Sequence, residues 1–181
     1  LYIDLSESHI RLFKKLASST GFKLHVIQVP KNHILQNQPH SYKHNEIDNK
    51  SIFIILFIPE LLPDNISRVL YLDGDMMAVQ NITNIFSVDM SNNLIAAAPN
   101  LLITFWPWSK YVNKNSFNSA RINSGIVLFD LQAISNTDIN KRMVRQFNTH
   151  IQMHIDDNDE YVLMQVYEKK IQSLEKELKN I

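Results

Sequence analysis

Cysteine is absent from these 181 residues, so neither a disulfide framework nor a thiolate metal site is available. Its absence suits a reducing compartment. Glycine is scarce: Gly21, Gly74 and Gly125 are the whole set. Net charge is also lacking, with 18 Lys+Arg against 18 Asp+Glu, which removes any long-range pull toward nucleic acid or anionic lipid. The longest apolar run, Ile52 to Ile58, is far too short to span a bilayer. No basic start followed by an apolar stretch reads as a signal peptide. The chain opens at Leu1 in mid-pattern, and a fragment of a longer protein is expected. What remains is ordinary for a globular domain: 45% hydrophobic residues and 20% charged ones, in a length that fits one domain with a real core.

Along the chain, Ser6 is placed to cap a helix running to about Thr20, with Ile10, Phe13, Leu16 and Ala17 as its inward stripe and Gly21 at its end. Phe22 to Val29 reads as a strand ended by Pro30. Residues 31–50 read as a polar loop. The apolar segment Ser51 to Leu62 fits a buried strand or a buried helix equally well by periodicity. Arg68 to Leu72 is a short strand, Asn81 to Phe86 a helical turn, and Leu94 to Ala98 and Gly125 to Asp130 further strands. Thr137 to His150 carries a helical stripe of Ile139, Met143, Val144 and Phe147. Asp159 to Ile181 reads as one more helical region, with Glu175 and Lys179 spaced to pair. Strands alternating with helices predict an α/β fold.

The feature that carries chemistry is Leu70-Tyr71-Leu72-Asp73-Gly74-Asp75. It places two carboxylates at the carboxyl end of a strand, where ligands bind in open α/β sheets. Two such groups can hold a hard divalent cation against a diphosphate. With eleven aspartates in the chain a lone Asp-x-Asp is weak, and a second one, Asp157-Asn158-Asp159, stands before a helix, where acids are favoured for other reasons. The first has the better context, because an aliphatic strand delivers it and Gly74 admits a ligand to the backbone. A haloacid-dehalogenase-like phosphatase also places Asp-x-Asp after a strand, but needs a small residue where Met77 stands. Trp106-Pro107-Trp108 suits sugar stacking or simple packing on the sheet. The seven histidines read as solvated surface residues.

Ile58-Pro59-Glu60-Leu61-Leu62-Pro63-Asp64 followed by Arg68-Val69-Leu70-Tyr71-Leu72-Asp73-Gly74-Asp75 resembles the core of glycosyltransferase family 8. Asn93-Leu94-Ile95-Ala96-Ala97-Ala98-Pro99 and Arg121-Ile122-Asn123-Ser124-Gly125-Ile126-Val127-Leu128-Phe129-Asp130-Leu131 resemble its following strands, in the same order. The resemblance implies a single partial domain over 1–181 of GT-A type, with a mixed, mainly parallel sheet flanked by helices. It would be incomplete, lacking the first nucleotide-binding strand and a C-terminal segment. It further implies metal-dependent, configuration-retaining transfer of galactose or glucose from a UDP-hexose to a lipopolysaccharide or other cell-surface glycan acceptor, in the cytoplasm or peripherally at the inner membrane. By carry-over, Asp73 and Asp75 ligate Mn²⁺ or Mg²⁺. Asn123, Ser124 and Asn100 line the donor and acceptor side, and Asp159 with Glu160 stands at the reacting sugar.

The chain departs from that pattern in places. The family's third metal ligand is a histidine in a C-terminal segment; His150 and His154 do not stand in its place. Ile55 occupies the position of a donor-contacting arginine, and Asn100 that of an aspartate. A non-catalytic remnant with weak or no nucleotide-sugar binding is therefore the alternative expectation.

Overall fold

The computed structural model describes residues 1–3, 5–36, 49–100, 122–152 and 159–179. They belong to two compact units, Leu1–Ile54 and Ile55–Ile181.

In the first unit, helix α1 spans Glu7–Thr20. The hydroxyl of Ser6 accepts from the His9 amide at 3.4 Å, and Gly21 closes the helix at φ +77°, a conformation that suits a residue without Cβ. The expected inward stripe is only partly inward: Ala17 is buried, but Phe13 and Leu16 are 46% and 50% exposed. The strand expected over 22–29 reduces to a single parallel bridge, Tyr2 with Gln28. A ladder needs a partner of comparable length, and among the described residues only Tyr2 supplies one. His33 is buried, contrary to a wholly solvated histidine set, and its Nδ1 accepts from the Leu35 amide at 3.2 Å. His150, in the second unit, is buried too.

The ambiguous apolar segment is helical. A 3-10 helix spans Asn49–Phe57, and α2 spans Ile58–Leu61 with Pro59 in its first turn, where a missing N–H costs nothing. Phe53 to Ile58 are all buried, which is why neither a strand period nor a helix period showed in the sequence.

The second unit is built on a four-stranded sheet. Strand β1 is Arg68–Leu72, β2 is Ile95–Pro99, β3 is Ile122–Asp130 and β4 is Ile171–Ser173, in the order β1-β3-β2-β4. It is mixed, as expected, but among the described strands the balance reverses the mainly parallel one. The pairs β1/β3 and β2/β3 are antiparallel, and only β2/β4 is parallel. Helices α3 (Leu131–Ser135), α4 (Ile139–Gln152) and α5 (Asp159–Val166) and the short α6 (Glu175–Lys179) flank it.

Residues 159–181 are not one helical region. After α5, Lys169 takes φ +60°, which ends the helix; Ile171 to Ser173 then pair with Ile95 to Ala97. Leu174 reaches the core below β2 and β3, beside Ile85, Val88, Met90, Ala96, Ile126 and Leu128. On the opposite face, Phe129 meets Tyr167 edge to face at 6.3 Å, and Phe57 meets Phe147 of α4 likewise at 5.1 Å. This core buries β3 inside the sheet, and both the Asp73 and the Asn123-Ser124-Gly125 segments are positioned from it.

Candidate functional site

Antiparallel pairing sets Leu72 opposite Ile126, and one step further the Asp73 amide donates to the Gly125 carbonyl at 2.9 Å. Asp73 is thus fixed at the backbone just beyond β1. Side chains two apart on a strand share a face, so Tyr71 and Asp73 project to the same side. The Tyr71 hydroxyl donates to Asp73 Oδ1 at 2.6 Å. Gly125 lies opposite Asp73 on that side. A Cβ at position 125 would stand 3.0 Å from Asp73 Oδ2 and 2.9 Å from Asn123 Oδ1, so the bare Cα is what leaves room for the carboxylate. At Gly74 φ is not positive and an added Cβ would meet open space, so nothing within the chain requires glycine there. Asp75 is exposed, and Asp73 is half-buried.

The register between β2 and β3 slips here. Ala97 pairs with Val127 but Ala98 with Asn123, so Ser124, Gly125 and Ile126 intervene. Such irregularities re-aim side chains at the ends of strands. Asn123 is exposed, its Oδ1 accepting from the Gly125 amide at 2.8 Å, while Ser124 is buried. Glu160, in the first turn of α5, accepts weakly from the Ser124 amide at 3.4 Å and from Asn100 Nδ2 at 3.5 Å. Beside it Asp159 is buried, and burial raises its pKa; Glu160 and Asp73 add to the rise, while a hydrogen bond with Ser124 opposes it. The Tyr71 phenol is likewise pushed up, first by burial, then by its bond to Asp73 and by the charges of Asp73, Asp159 and Asp75.

The seven residues singled out from the sequence therefore gather at one end of the sheet. Asp73 and Asp75 follow β1, Asn123 and Ser124 open β3, Asn100 follows β2, and Asp159 and Glu160 start α5. Tyr71 was not singled out, although the two-residue strand period would have placed it on the face of Asp73. The tryptophans at 106 and 108, His154 and Asp157 lie outside the described residues. A hollow of about 610 Å³ lies at the other end of β1, lined by Asp64, Asn65, Ser67, Gln132 and their neighbours, and takes in none of the seven.

For a hard divalent cation, the carboxylate oxygens of Asp73 and Asp75 are suitable donors. In number they fall short of a closed shell: among the described residues no three His, Cys, Asp or Glu converge as a metal site. The residues fit a cation completed by ligand oxygens and water. Ile55 is fully buried and presents no polar group to such a site.

Three comparisons bear on the fold and the family of the chain. The galactosyltransferase LgtC, solved with donor and acceptor sugar analogues, superposes with a TM-score of 0.72 at 18% identity, covering 94% of this chain and 59% of LgtC. The glycosyltransferase GlyE of Streptococcus pneumoniae superposes at 0.58 with 17% identity, covering 96% and 36%. At such identities the likeness is one of fold, which is the GT-A fold, present in part. Among sequences, the hexosyltransferase GAUT11 of Arabidopsis thaliana is 29% identical over 94 residues, 48% of this chain and 17% of that protein. Mouse glucoside xylosyltransferase 2 is 30% identical over 93 residues, 49% and 21%. The chain thus spans less than two thirds of each of these proteins. The family model for glycosyl transferase family 8 matches residues 1–179, nearly the whole length, and the chain belongs to that family.

Proposed function

We propose that this chain carries the donor-side core of a retaining hexosyltransferase, which moves galactose or glucose from a UDP-hexose to a hydroxyl of a lipopolysaccharide or other cell-surface glycan. The observation behind the reading is the gathering of Asp73, Asp75, Asn123, Ser124, Asn100, Asp159 and Glu160 at one sheet end in a family 8 chain. Asp73 and Asp75 would hold Mn²⁺ or Mg²⁺, which when bound acts as a Lewis acid on the departing diphosphate. Asn123 and Asn100 offer neutral amides to sugar hydroxyls. Asn123 is exposed, with its Oδ1 on the Gly125 amide and its Nδ2 left for a ligand, whereas Asn100 leans on Glu160. Asp159 and Glu160 place negative charge where positive charge develops on a sugar ring that loses its leaving group. Among the described residues no helix is long and apolar enough to cross a membrane. We place the protein in the cytoplasm, with peripheral contact to the inner membrane where its acceptor is a lipid-linked glycan.

Titration of the chain with Mn²⁺ in the presence of UDP, followed by calorimetry, tests the reading. Saturable binding that Asp73→Asn or Asp75→Asn weakens at least tenfold is expected; binding indifferent to both substitutions overturns it.

A second reading has its own support. Two carboxylates make half a cation shell, and Ile55 is buried where a donor contact is expected. On that reading these 181 residues bind nucleotide sugar weakly and do not turn it over.

A further inference from the structure

Asp73 is the less exposed of the two carboxylates, and two neighbours, Tyr71 and Gly125, bear on its position. The Tyr71 hydroxyl donates to Oδ1 at 2.6 Å, within the short range of hydroxyl–carboxylate bonds. On the other side Oδ2 lies over the Cα of Gly125, where a Cβ would come within 3.0 Å. The backbone between them is pinned by the Asp73 amide on the Gly125 carbonyl at 2.9 Å. Asn123 Oδ1, which would crowd the same Cβ at 2.9 Å, is itself held by the Gly125 amide. The carboxylate is therefore held by a hydrogen bond at Oδ1 and closely packed at Oδ2, whereas Asp75 is exposed.

We propose that Tyr71 is a positioning residue which, with the bare Cα of Gly125, seats the Asp73 carboxylate in one orientation for a divalent cation. The inference rests on the metal-binding reading above and adds to it a division of labour: Asp73 is preorganised, Asp75 adapts. Hydrogen bonds to ligating carboxylates orient them, and their removal typically weakens metal affinity about 10- to 100-fold. A hydroxyl that had merely found the nearest acceptor would leave metal affinity alone.

The test measures Mn²⁺ affinity by electron paramagnetic resonance with UDP present, on the full chain and on Tyr71→Phe, Gly125→Ala, Asp73→Asn and Tyr167→Phe. Circular dichroism checks that each folds. The expected result is about a tenfold weakening for Tyr71→Phe. Gly125→Ala, whose backbone φ is not positive and so tolerates a Cβ, weakens binding by pushing the carboxylate aside. Tyr167→Phe removes a buried hydroxyl just past the end of α5 and leaves affinity as it was. Wild-type affinity in both Tyr71→Phe and Gly125→Ala overturns the proposal while leaving the metal reading intact. Binding indifferent to Asp73→Asn sinks the metal reading, and the positioning role with it. If Tyr71→Phe does not fold, Gly125→Ala decides alone.

Discussion

Asp159 sits where its charged form is disfavoured. Burial is the main reason, and the neighbouring Glu160 and Asp73 add repulsion that the Ser124 hydrogen bond only partly offsets. A carboxyl whose folded-state pKa lies above its unfolded value binds more protons in the folded state between the two values. Stability therefore falls as pH rises through the window from the ordinary 3.8 up to the raised folded value. Asp159→Asn removes the titration, keeps the shape, and should raise the melting temperature at neutral pH while flattening its decline across that window. Thermal melts of both proteins from acid to neutral pH check this; a variant less stable than wild type at pH 7 would mean that the charge is compensated. Such a residue, held in an unfavourable state by the fold, is what a site under functional constraint looks like. A bound cation or a positive charge on the sugar would relieve the repulsion that folding leaves in place.

Among the elements, the break after α5 decides how the end of the chain supports the sheet. Lys169 adopts φ +60°, which costs an L-residue about 1–2 kcal/mol. Glycine escapes that penalty and loses roughly 0.5–1 kcal/mol of it to backbone entropy. Lys169→Gly should thus stabilise the chain by about 0.5–1 kcal/mol, seen as a higher denaturation midpoint, since the exposed lysine gives up little packing. Leu174, fully buried among Ile85, Met90 and Leu128, should cost about 2–5 kcal/mol as Leu174→Ala. If residues 168–174 were instead helix, as their apolar spacing suggests, Lys169→Gly would destabilise. The same contrast shows what the sequence can carry. The strand Arg68–Leu72 was readable because a short aliphatic run ended in charge, and β3 because its apolar positions are continuous. The β4 strand was not, because three residues are too few for a period of two to stand out from the helical spacing of Val162, Val166, Leu174 and Leu178. The stripe of α1 was legible as a pattern, but spacing says which residues share a face and not whether anything covers it. At the site, the aspartates and Asn123-Ser124 came from motif and resemblance. Gly125 as a seat for Asp73, and Tyr71 as its clamp, needed the β1/β3 register, which no local pattern supplies.

For the whole molecule, the question is whether a gathered set of side chains amounts to a working transferase. Binding and turnover separate cleanly here. Binding UDP with Mn²⁺ needs oxygen donors and a place for the diphosphate; the two carboxylates supply the first in part. A ligand at 100 times its dissociation constant stabilises the folded form by about 2.7 kcal/mol, which for a domain of this size moves the melting temperature by roughly 5–10 °C. Turnover asks more, because only groups that bind the transition state better than the ground state accelerate the reaction. Each missing donor to a developing charge costs about 10²–10³ in rate. Among the described residues no third acidic or histidine ligand joins Asp73 and Asp75, and Ile55 is buried and apolar. We therefore expect Mn²⁺ and UDP together to raise the melting temperature, Asp73→Asn to abolish the rise, and the purified 181 residues to release no measurable UDP from UDP-galactose or UDP-glucose. Release at rates typical of transferases would show that a half shell suffices and would retire the remnant reading. A melting temperature unmoved by the pair would show that the gathered carboxylates of this family 8 chain do not by themselves make a donor site.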